Sequence, residues 1–202
     1  MLVELKTSVR LIIGLGNPGA EYASTRHNAG YWFVEALAKA RSVVFRQEAK
    51  YKAEVARVED SGQEYWLFKP LTYMNLSGQA VSAFARFYKI ETSELLVAHD
   101  ELDLPPGTAR LKQGGGHGGH NGLRDIAEKQ GADYWRLRFG IGHPGHKALV
   151  HDYVLGKPSV DDRIEIERAM DRAQLVLPDM LAGHWERAMN QLHAYSTPSR
   201  EK

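Results

Sequence analysis

The chain of 202 residues contains no cysteine. This absence excludes disulfide bridges, thiol nucleophiles, iron–sulfur clusters and zinc sites with cysteine ligands. A chain of this length buries about 70% of the surface that its unfolded form exposes, so its core can be stable without such crosslinks. We therefore expect a globular domain in a reducing, cytoplasmic setting.

Long apolar runs are absent as well, since no segment approaches the roughly 20 residues of a membrane span. The first residues, MLVELKTS, lack the basic flank and apolar stretch of a secretion signal. Strong net charge is also missing, because 26 Lys and Arg oppose 25 Asp and Glu. We expect no membrane association, and bulk charge alone indicates no nucleic-acid partner.

The charges are nevertheless unevenly distributed along the chain. Residues 91–104 contain five acidic groups and no Lys or Arg, whereas residues 105–151 contain seven Lys and Arg against three acidic groups. The second segment therefore has an excess of four positive charges, which favours a surface that holds an anionic ligand. Ordinary solvated surface charge remains the alternative.

Strands and helices alternate in the sequence pattern. Short runs rich in β-branched and aromatic residues predict strands at 9–14, 53–58, 64–69, 94–99 and 134–141, with a short edge strand at 108–112. Apolar spacing predicts helices around 33–40 and 81–88, and a third helix capped by Ser159 that Pro178 interrupts. A last helix places Leu181, Trp185, Met189 and Leu192 on one side.

This alternation predicts an α/β fold whose sheet is flanked by helices on both faces. No internal repeat or linker divides the chain. We expect a single domain over residues 1–195, followed by a frayed tail at 196–202.

The segment Gly14-Leu15-Gly16-Asn17-Pro18-Gly19 matches the G-x-G-x-x-G pattern of dinucleotide-binding turns. Three features argue against that function. Pro18 removes an amide donor, the helical periodicity begins only near residue 30, and no acidic residue follows about 20 positions later. We therefore expect no dinucleotide cofactor, although a nucleotide-dependent reductase remains the rival hypothesis.

Polar residues cluster in the segments that follow predicted strands, namely Asn17, His27, Asn28, Asn75, Asp100, His117, His120 and Asn121. In an open α/β sheet, such segments converge on one crevice. One histidine, one aspartate and several asparagines suit hydrolysis by water: the histidine deprotonates the water, the aspartate orients the histidine, and amide groups bind the oxyanion.

These residues also have structural interpretations. Asn28, Asn75 or Ser77 would serve equally as helix N-caps. The paired histidines of HisGlyGlyHis (117–120) and HisProGlyHis (143–146) suggest a metal site, but they lack a helical register that aims two imidazoles at one ion. We expect no metal. A serine nucleophile is disfavoured because no G-x-S-x-G motif occurs.

Five blocks of sequence together resemble one family. They are GLGNPG with YASTRHNAG, KPLTYMNLSG, HDELDLPPG, GGHNGLR and RLRFGIGHPG, in that order between residues 10 and 157. The chain is similar to bacterial peptidyl-tRNA hydrolases. The resemblance implies a cytoplasmic monomer with a mixed, twisted sheet that cleaves the ester between peptide and tRNA and so recycles tRNA.

The resemblance also implies roles for residues in this chain. His27 would be the general base, Asp100 would orient it, and Asn17 would complete the catalytic set. The substrate-binding residues would be Tyr22, Met74, Asn75, Asn121 and His120. The tRNA, through its acceptor end and 5′ phosphate, would be held by Arg110, Lys112, Arg138 and Lys147. His146 departs from the family pattern, and a non-catalytic RNA-binding module is the second rival hypothesis.

Overall fold

The computed structural model describes residues 7–195, which form one α/β domain around a seven-stranded sheet. The strands are β1 (Leu11–Gly14), β2 (Arg46–Glu48), β3 (Ala53–Asp60), β4 (Gln63–Pro70), β5 (Leu95–Glu101), β6 (Ala109–Gln113) and β7 (Trp135–Gly140). The α-helices are α1 (Ala29–Ala40), α2 (Ser77–Tyr88), α3 (Asn121–Gln130), α4 (Val150–Val154), α5 (Val160–Leu181) and α6 (Trp185–His193). The predicted fold class is confirmed, although β2, α3 and α4 were not predicted.

The order of strands across the sheet is β2-β3-β4-β1-β5-β7-β6. Strand β1 pairs in parallel with both β4 and β5, and β5 pairs in parallel with β7. The remaining pairs are antiparallel, so the sheet is mixed as predicted. Four adjacent parallel strands therefore end at the same edge of the sheet, where ligand sites of α/β proteins form.

Both faces of the sheet are covered. Leu11 and Ile13 of β1 face a core shared with α2 and α3, while Ile12 between them faces the core shared with α1, α5 and α6. All three side chains are fully buried. A short apolar run with both faces buried is typical of a central parallel strand, which explains the prediction made from this segment.

The two predictions for the C-terminal helices need correction. Helix α5 continues through Pro178 to Leu181, so this proline does not interrupt it. A proline removes one hydrogen bond from a helix, and its ring clashes with the preceding turn. Pro178 lies near the end of α5, where tight packing of the side chains offsets this destabilisation. Ala173, Leu177 and Met180 are all fully buried. Leu181 ends α5 rather than opening the last helix, which begins at Trp185 after a turn.

Gly14, the last residue of β1, and Gly16 allow helix α1 to pack closely against the end of the strand. A Cβ on Gly14 would collide with the carbonyl of Gly30, and one on Gly16 would collide with the ring of Tyr31. Helix α1 begins only at Ala29, in agreement with the delayed periodicity of the sequence. Close packing of α1 therefore accounts for the glycine spacing.

Within residues 7–195, no helix combines the length and apolar composition needed to cross a membrane. The tail predicted to fray at 196–202 lies outside the described residues.

Candidate active site

A cleft of about 860 Å³ opens at the carboxyl edge of the parallel strands. The segment after β1 contributes Asn17 and His27, and the segment after β4 contributes Met74 and Asn75. Asp100 comes from the end of β5. The residues predicted at strand ends thus meet around one crevice, as the α/β topology requires.

The centre of the cleft is a carboxylate shared by two imidazoles. His27 Nδ1 lies 2.9 Å from Asp100 Oδ2, and His120 Nε2 lies 2.9 Å from Asp100 Oδ1. The two imidazole rings are 4.8 Å apart between centroids. Asp100 is buried while His27 retains some exposure, so the nitrogen of His27 that remains accessible is Nε2.

His120 is also the N-cap of α3. Its Nδ1 accepts hydrogen bonds from Gly122 N and Leu123 N, at 3.2 and 3.4 Å. An accepting Nδ1 carries no proton, so the neutral ring holds its proton on Nε2 and donates it to Asp100. Both ring nitrogens of His120 are therefore occupied by the protein. The N-cap assigns the tautomer, and the start of α3 is tied to the carboxylate.

The electrostatics of the pair follow from this arrangement. Burial pushes the pKa of His27 down, but the charge of Asp100 and its hydrogen bond outweigh this effect, so the pKa lies above 6.5. Burial alone would raise the pKa of Asp100, yet the two imidazoles hold it well below 3.8. Asp100 is therefore ionised at neutral pH, and its charge favours the imidazolium form of His27.

Asn17 is fixed by two neighbours. The side chain of Asn28 accepts from Asn17 N at 2.9 Å and donates to Asn17 O at 3.0 Å. Asn17 Oδ1 accepts from Met74 N at 2.7 Å, which leaves the amide nitrogen Nδ2 as the donor group of this side chain. The structure therefore presents Asn17 to the cleft as a hydrogen-bond donor.

The residue before His27 anchors the same segment on its other side. Arg26 N donates to Gly156 O at 3.0 Å, and Arg26 Nη1 donates to Tyr153 O at 3.0 Å. The guanidinium also lies 3.9 Å from the centre of the Tyr153 ring. His27 thus stands between two anchored residues, Arg26 and Asn28.

His99 is a further buried histidine that the sequence analysis did not select. Its Nδ1 donates to Asp100 O at 2.7 Å, and its ring meets that of His120 edge to face. Burial lowers the pKa of His99 to about 3, with help from nearby His120. A histidine that stays neutral at all ordinary pH values supports the strand end rather than exchanging protons.

The predicted substrate-binding residues occupy different depths. Met74 is buried in the cleft wall, whereas Asn75 and Asn121 line the cleft with exposed side chains. Tyr22 lies farther out, where its ring meets Tyr73 edge to face at 6.4 Å. Tyr73, which the sequence analysis did not select, is the member of this aromatic pair that lines the cleft.

Three of the four predicted tRNA-binding residues line the same cleft. Lys112, Arg138 and Lys147 line it, and Arg110 lies opposite Arg138 in the β6–β7 ladder. Arg138 Nη1 is 3.6 Å from Glu101 Oε1, so this guanidinium has an acidic neighbour. Lys112, Arg138 and Lys147 thus line the same cleft as His27.

The glycine-rich segment before α3 has an anchored half and an open half. Arg136, a buried residue of β7, donates to the carbonyls of Gly115 and Gly116. Gly118 and Gly119 have positive φ angles and open space around the positions of their absent side chains. The segment is therefore anchored to β7 at Gly115 and Gly116 and open at Gly118 and Gly119.

The N-cap alternatives for the asparagines and Ser77 can now be decided. Neither Asn28 nor Asn75 caps a helix through its side chain, and Ser77 Oγ donates backwards to Met74 O.

For metal binding, the described residues offer His27, Asp100 and His120, whose ligand atoms lie within 4.8 Å of one another. Neither His117 nor His143 belongs to this group. The Nδ1 of each accepts a hydrogen bond from an N–H of its own loop.

The chain is similar to known proteins over most of its length. The family model described as peptidyl-tRNA hydrolase matches residues 11–201. A peptidyl-tRNA hydrolase of Halorhodospira halophila is 56% identical over 186 residues, which cover 92% of this chain and 96% of the relative. One from Coxiella burnetii is 54% identical, covering 92% and 98%. The crystal structure of the Acinetobacter baumannii peptidyl-tRNA hydrolase aligns with a TM-score of 0.92 at 48% identity, covering 94% and 97%. The chain belongs to the peptidyl-tRNA hydrolase family.

Proposed function

We propose that this protein hydrolyses the ester bond between a peptide and the 3′ end of tRNA, with His27 as the general base. The observation that carries this proposal is the Asp100 carboxylate, which binds His27 Nδ1 and leaves His27 Nε2 free in the cleft. Family membership supplies the substrate class, and the geometry supplies the chemistry.

In the reaction, His27 Nε2 removes a proton from water as the water attacks the ester carbonyl. The tetrahedral intermediate then collapses, the bond to the 3′ oxygen of the tRNA breaks, and this oxygen takes the proton from the imidazolium of His27. Asp100 keeps the proton of the neutral imidazole on Nδ1 and stabilises the imidazolium that forms. A positioned general base contributes on the order of 10²–10⁴-fold in rate. Because an ester has a better leaving group than an amide, no covalent intermediate is required.

Asn17 is the proposed oxyanion donor. Its Oδ1 is engaged by Met74 N, so its Nδ2 is directed to bind the negative charge that develops on the ester oxygen. Asn75 and Asn121, with exposed side chains on the cleft wall, contact the peptide amide or the attacking water.

For His120 we propose a role other than the predicted substrate binding. With Nδ1 used by the N-cap and Nε2 bound to Asp100, it has no nitrogen left for a substrate hydrogen bond. We assign it the role of holding Asp100 in place, while its ring contributes only surface to the cleft.

The basic side of the cleft binds the tRNA. Lys112 and Arg138 hold the 5′ phosphate, and Lys147 and Arg110 add contacts to the backbone. Phosphate contacts of this kind fix the position of a nucleic acid without reading its sequence. The protein acts as a cytoplasmic monomer in this scheme.

Hydrolysis of an N-blocked aminoacyl-tRNA tests the proposal directly. We expect the wild type to release tRNA, and His27→Ala to lose on the order of 10²–10⁴-fold in kcat while it still binds tRNA. His184→Ala, which lies at the turn before α6, is the matched control and keeps full activity. Activity should survive EDTA treatment. Binding of tRNA without cleavage by the wild type would instead favour an RNA-binding module.

A further inference from the structure

The edge strand β6 is tied to the last helix by one side chain. Leu111 N donates a hydrogen bond of 2.9 Å to His193 Nε2, although 82 positions separate the two residues. Leu111 stands between Arg110 and Lys112, the two basic residues of this strand. The His193 contact therefore lies at the centre of the strand that carries half of the proposed phosphate-binding groups.

The geometry of the strand explains why this contact would affect the neighbouring cations. The side chain of Leu111 is buried in the core beneath α5 and α6. Because successive side chains of a strand point to opposite faces, Arg110 and Lys112 point to the other face. There they stand opposite Arg138 and Arg136 of β7. The N–H of Leu111 faces away from β7, where an edge strand otherwise meets solvent.

The contact also specifies the chemical state of His193. An accepting Nε2 must be unprotonated, so the ring is neutral and its proton lies on Nδ1. Burial lowers the pKa of His193, and the charges of Arg110 from β6 and Arg138 from β7 lower it further. Arg110 and Arg138, two of the proposed tRNA-binding residues, therefore help to keep His193 in its accepting form.

We propose that His193 is a positioning residue for the phosphate-binding strand: by accepting from Leu111 N, it sets the place of Arg110 and Lys112 relative to Arg138. This inference rests on the proposed function of those basic residues. It assigns a part in tRNA binding to the C-terminal helix α6, through the main chain of β6 and without contact to the substrate.

The test compares two substitutions that differ in hydrogen bonding. His193→Leu removes the acceptor, whereas His193→Gln can place Oε1 where Nε2 stands. Each variant is assayed with N-blocked aminoacyl-tRNA bearing a 5′ phosphate and with the same substrate after phosphatase treatment. Gln191→Leu, at an exposed position of the same helix, controls for the added apolar side chain.

We expect His193→Leu to raise the KM of the phosphorylated substrate by about 3- to 10-fold, the range of one lost hydrogen bond, with kcat unchanged. The KM of the dephosphorylated substrate should rise less, because only the backbone contact of Arg110 is disturbed there, and His193→Gln should restore normal binding of both substrates. Amide hydrogen exchange at Leu111 gives a readout that does not depend on activity. Exchange at the Leu111 amide should be faster than in the wild type in His193→Leu, and unchanged in His193→Gln and Gln191→Leu.

Three results would overturn the proposal. They are equal KM changes for both substrates, a loss of kcat, and unaltered exchange at Leu111 in His193→Leu. A wild type that cleaves both substrates with the same KM would instead show that the phosphate assignment is wrong, and the inference about His193 would fall with it. A wild type without ester cleavage would overturn the proposed function itself.

Discussion

The side-chain amide of Asn28 is hydrogen-bonded at both ends to the main chain of Asn17, with its oxygen on the N–H and its nitrogen on the carbonyl. This pairing needs one donor and one acceptor on the same planar group. Asn28 is almost completely buried, so water cannot replace either partner. The position of the proposed oxyanion donor therefore depends on the residue next to the proposed base.

Asn28→Asp should consequently lower both the stability and the kcat of the protein, although it changes the shape of the side chain very little. One carboxylate oxygen can still accept from Asn17 N, but the other would face Asn17 O and repel it. We expect a loss of about 1–3 kcal/mol in the free energy of unfolding, the cost of an unsatisfied buried polar group. The kcat should fall as well. Urea denaturation and single-turnover hydrolysis measure the two effects.

Asn190→Asp is the matched control, because it makes the same chemical change at an exposed position of α6. It should leave both quantities unchanged. Equal stability and kcat in Asn28→Asp and the wild type would contradict the interpretation of this pairing.

The pH dependence of kcat should report the His27–Asp100 pair. Catalysis needs the unprotonated imidazole, and Asp100 holds the pKa of His27 above 6.5, so kcat should fall as the pH drops through a value above 6.5. In Asp100→Asn the raising effects are lost while the burial remains. The acidic limb should therefore move below pH 6.5, and the plateau should also be lower because the imidazolium is less stabilised. An acidic limb that stays in place would show that another group titrates.

Substitutions at His120 should separate its two contacts. An asparagine can cap α3 but is too short to reach Asp100, whereas an alanine can do neither. We expect His120→Ala to be less stable than His120→Asn by about 1 kcal/mol, the usual cost of a missing N-cap, since both variants lose the contact with Asp100. Both should lower kcat by a similar factor, since both release Asp100. Full activity in His120→Asn would limit His120 to a structural role at the helix.

Lys112→Met should weaken tRNA binding and leave the chemical step intact. We expect a higher KM, an unchanged kcat, and a salt dependence of binding whose slope falls by about one, as expected for one lost phosphate contact. Lys39→Met, at an exposed position of α1 away from the cleft, is the control. A change in kcat with an unaltered salt slope would place Lys112 in the reaction rather than in tRNA binding.

The sequence predicted most strands because their signal is local. The central strands are continuous apolar runs between turn residues, and their burial on both faces follows directly from composition. Helix α3 lacks such a signal. Of its ten residues only Leu123 and Ile126 are large, buried and apolar, and it begins with Asn121 and Gly122, two weak helix formers. Its stability comes from tertiary contacts that no short window contains.

The distinction between local sequence signals and tertiary contacts also applies to the candidate active site. The place of Asn17, His27 and Asp100 at strand ends could be predicted, because the topology of an α/β sheet brings such segments together. The N-cap by His120 and the pairing of Asn28 with Asn17 could not, since each depends on the path of two separate segments. Histidine is not a preferred N-cap, so a histidine at position 120 does not predict the start of a helix.

The crossing of α2 and α3 has a genetic consequence. A Cβ on Gly78 would collide with the main chain of Asp125, whose own side chain accepts from Gln79 N at 3.1 Å. A larger residue at Gly78 would push α3 away from α2 and so disturb the contact between Asp100 and the N-cap residue His120. A screen for temperature-sensitive alleles should therefore recover substitutions at Gly78, and suppressors of them should fall in the facing turn of α3.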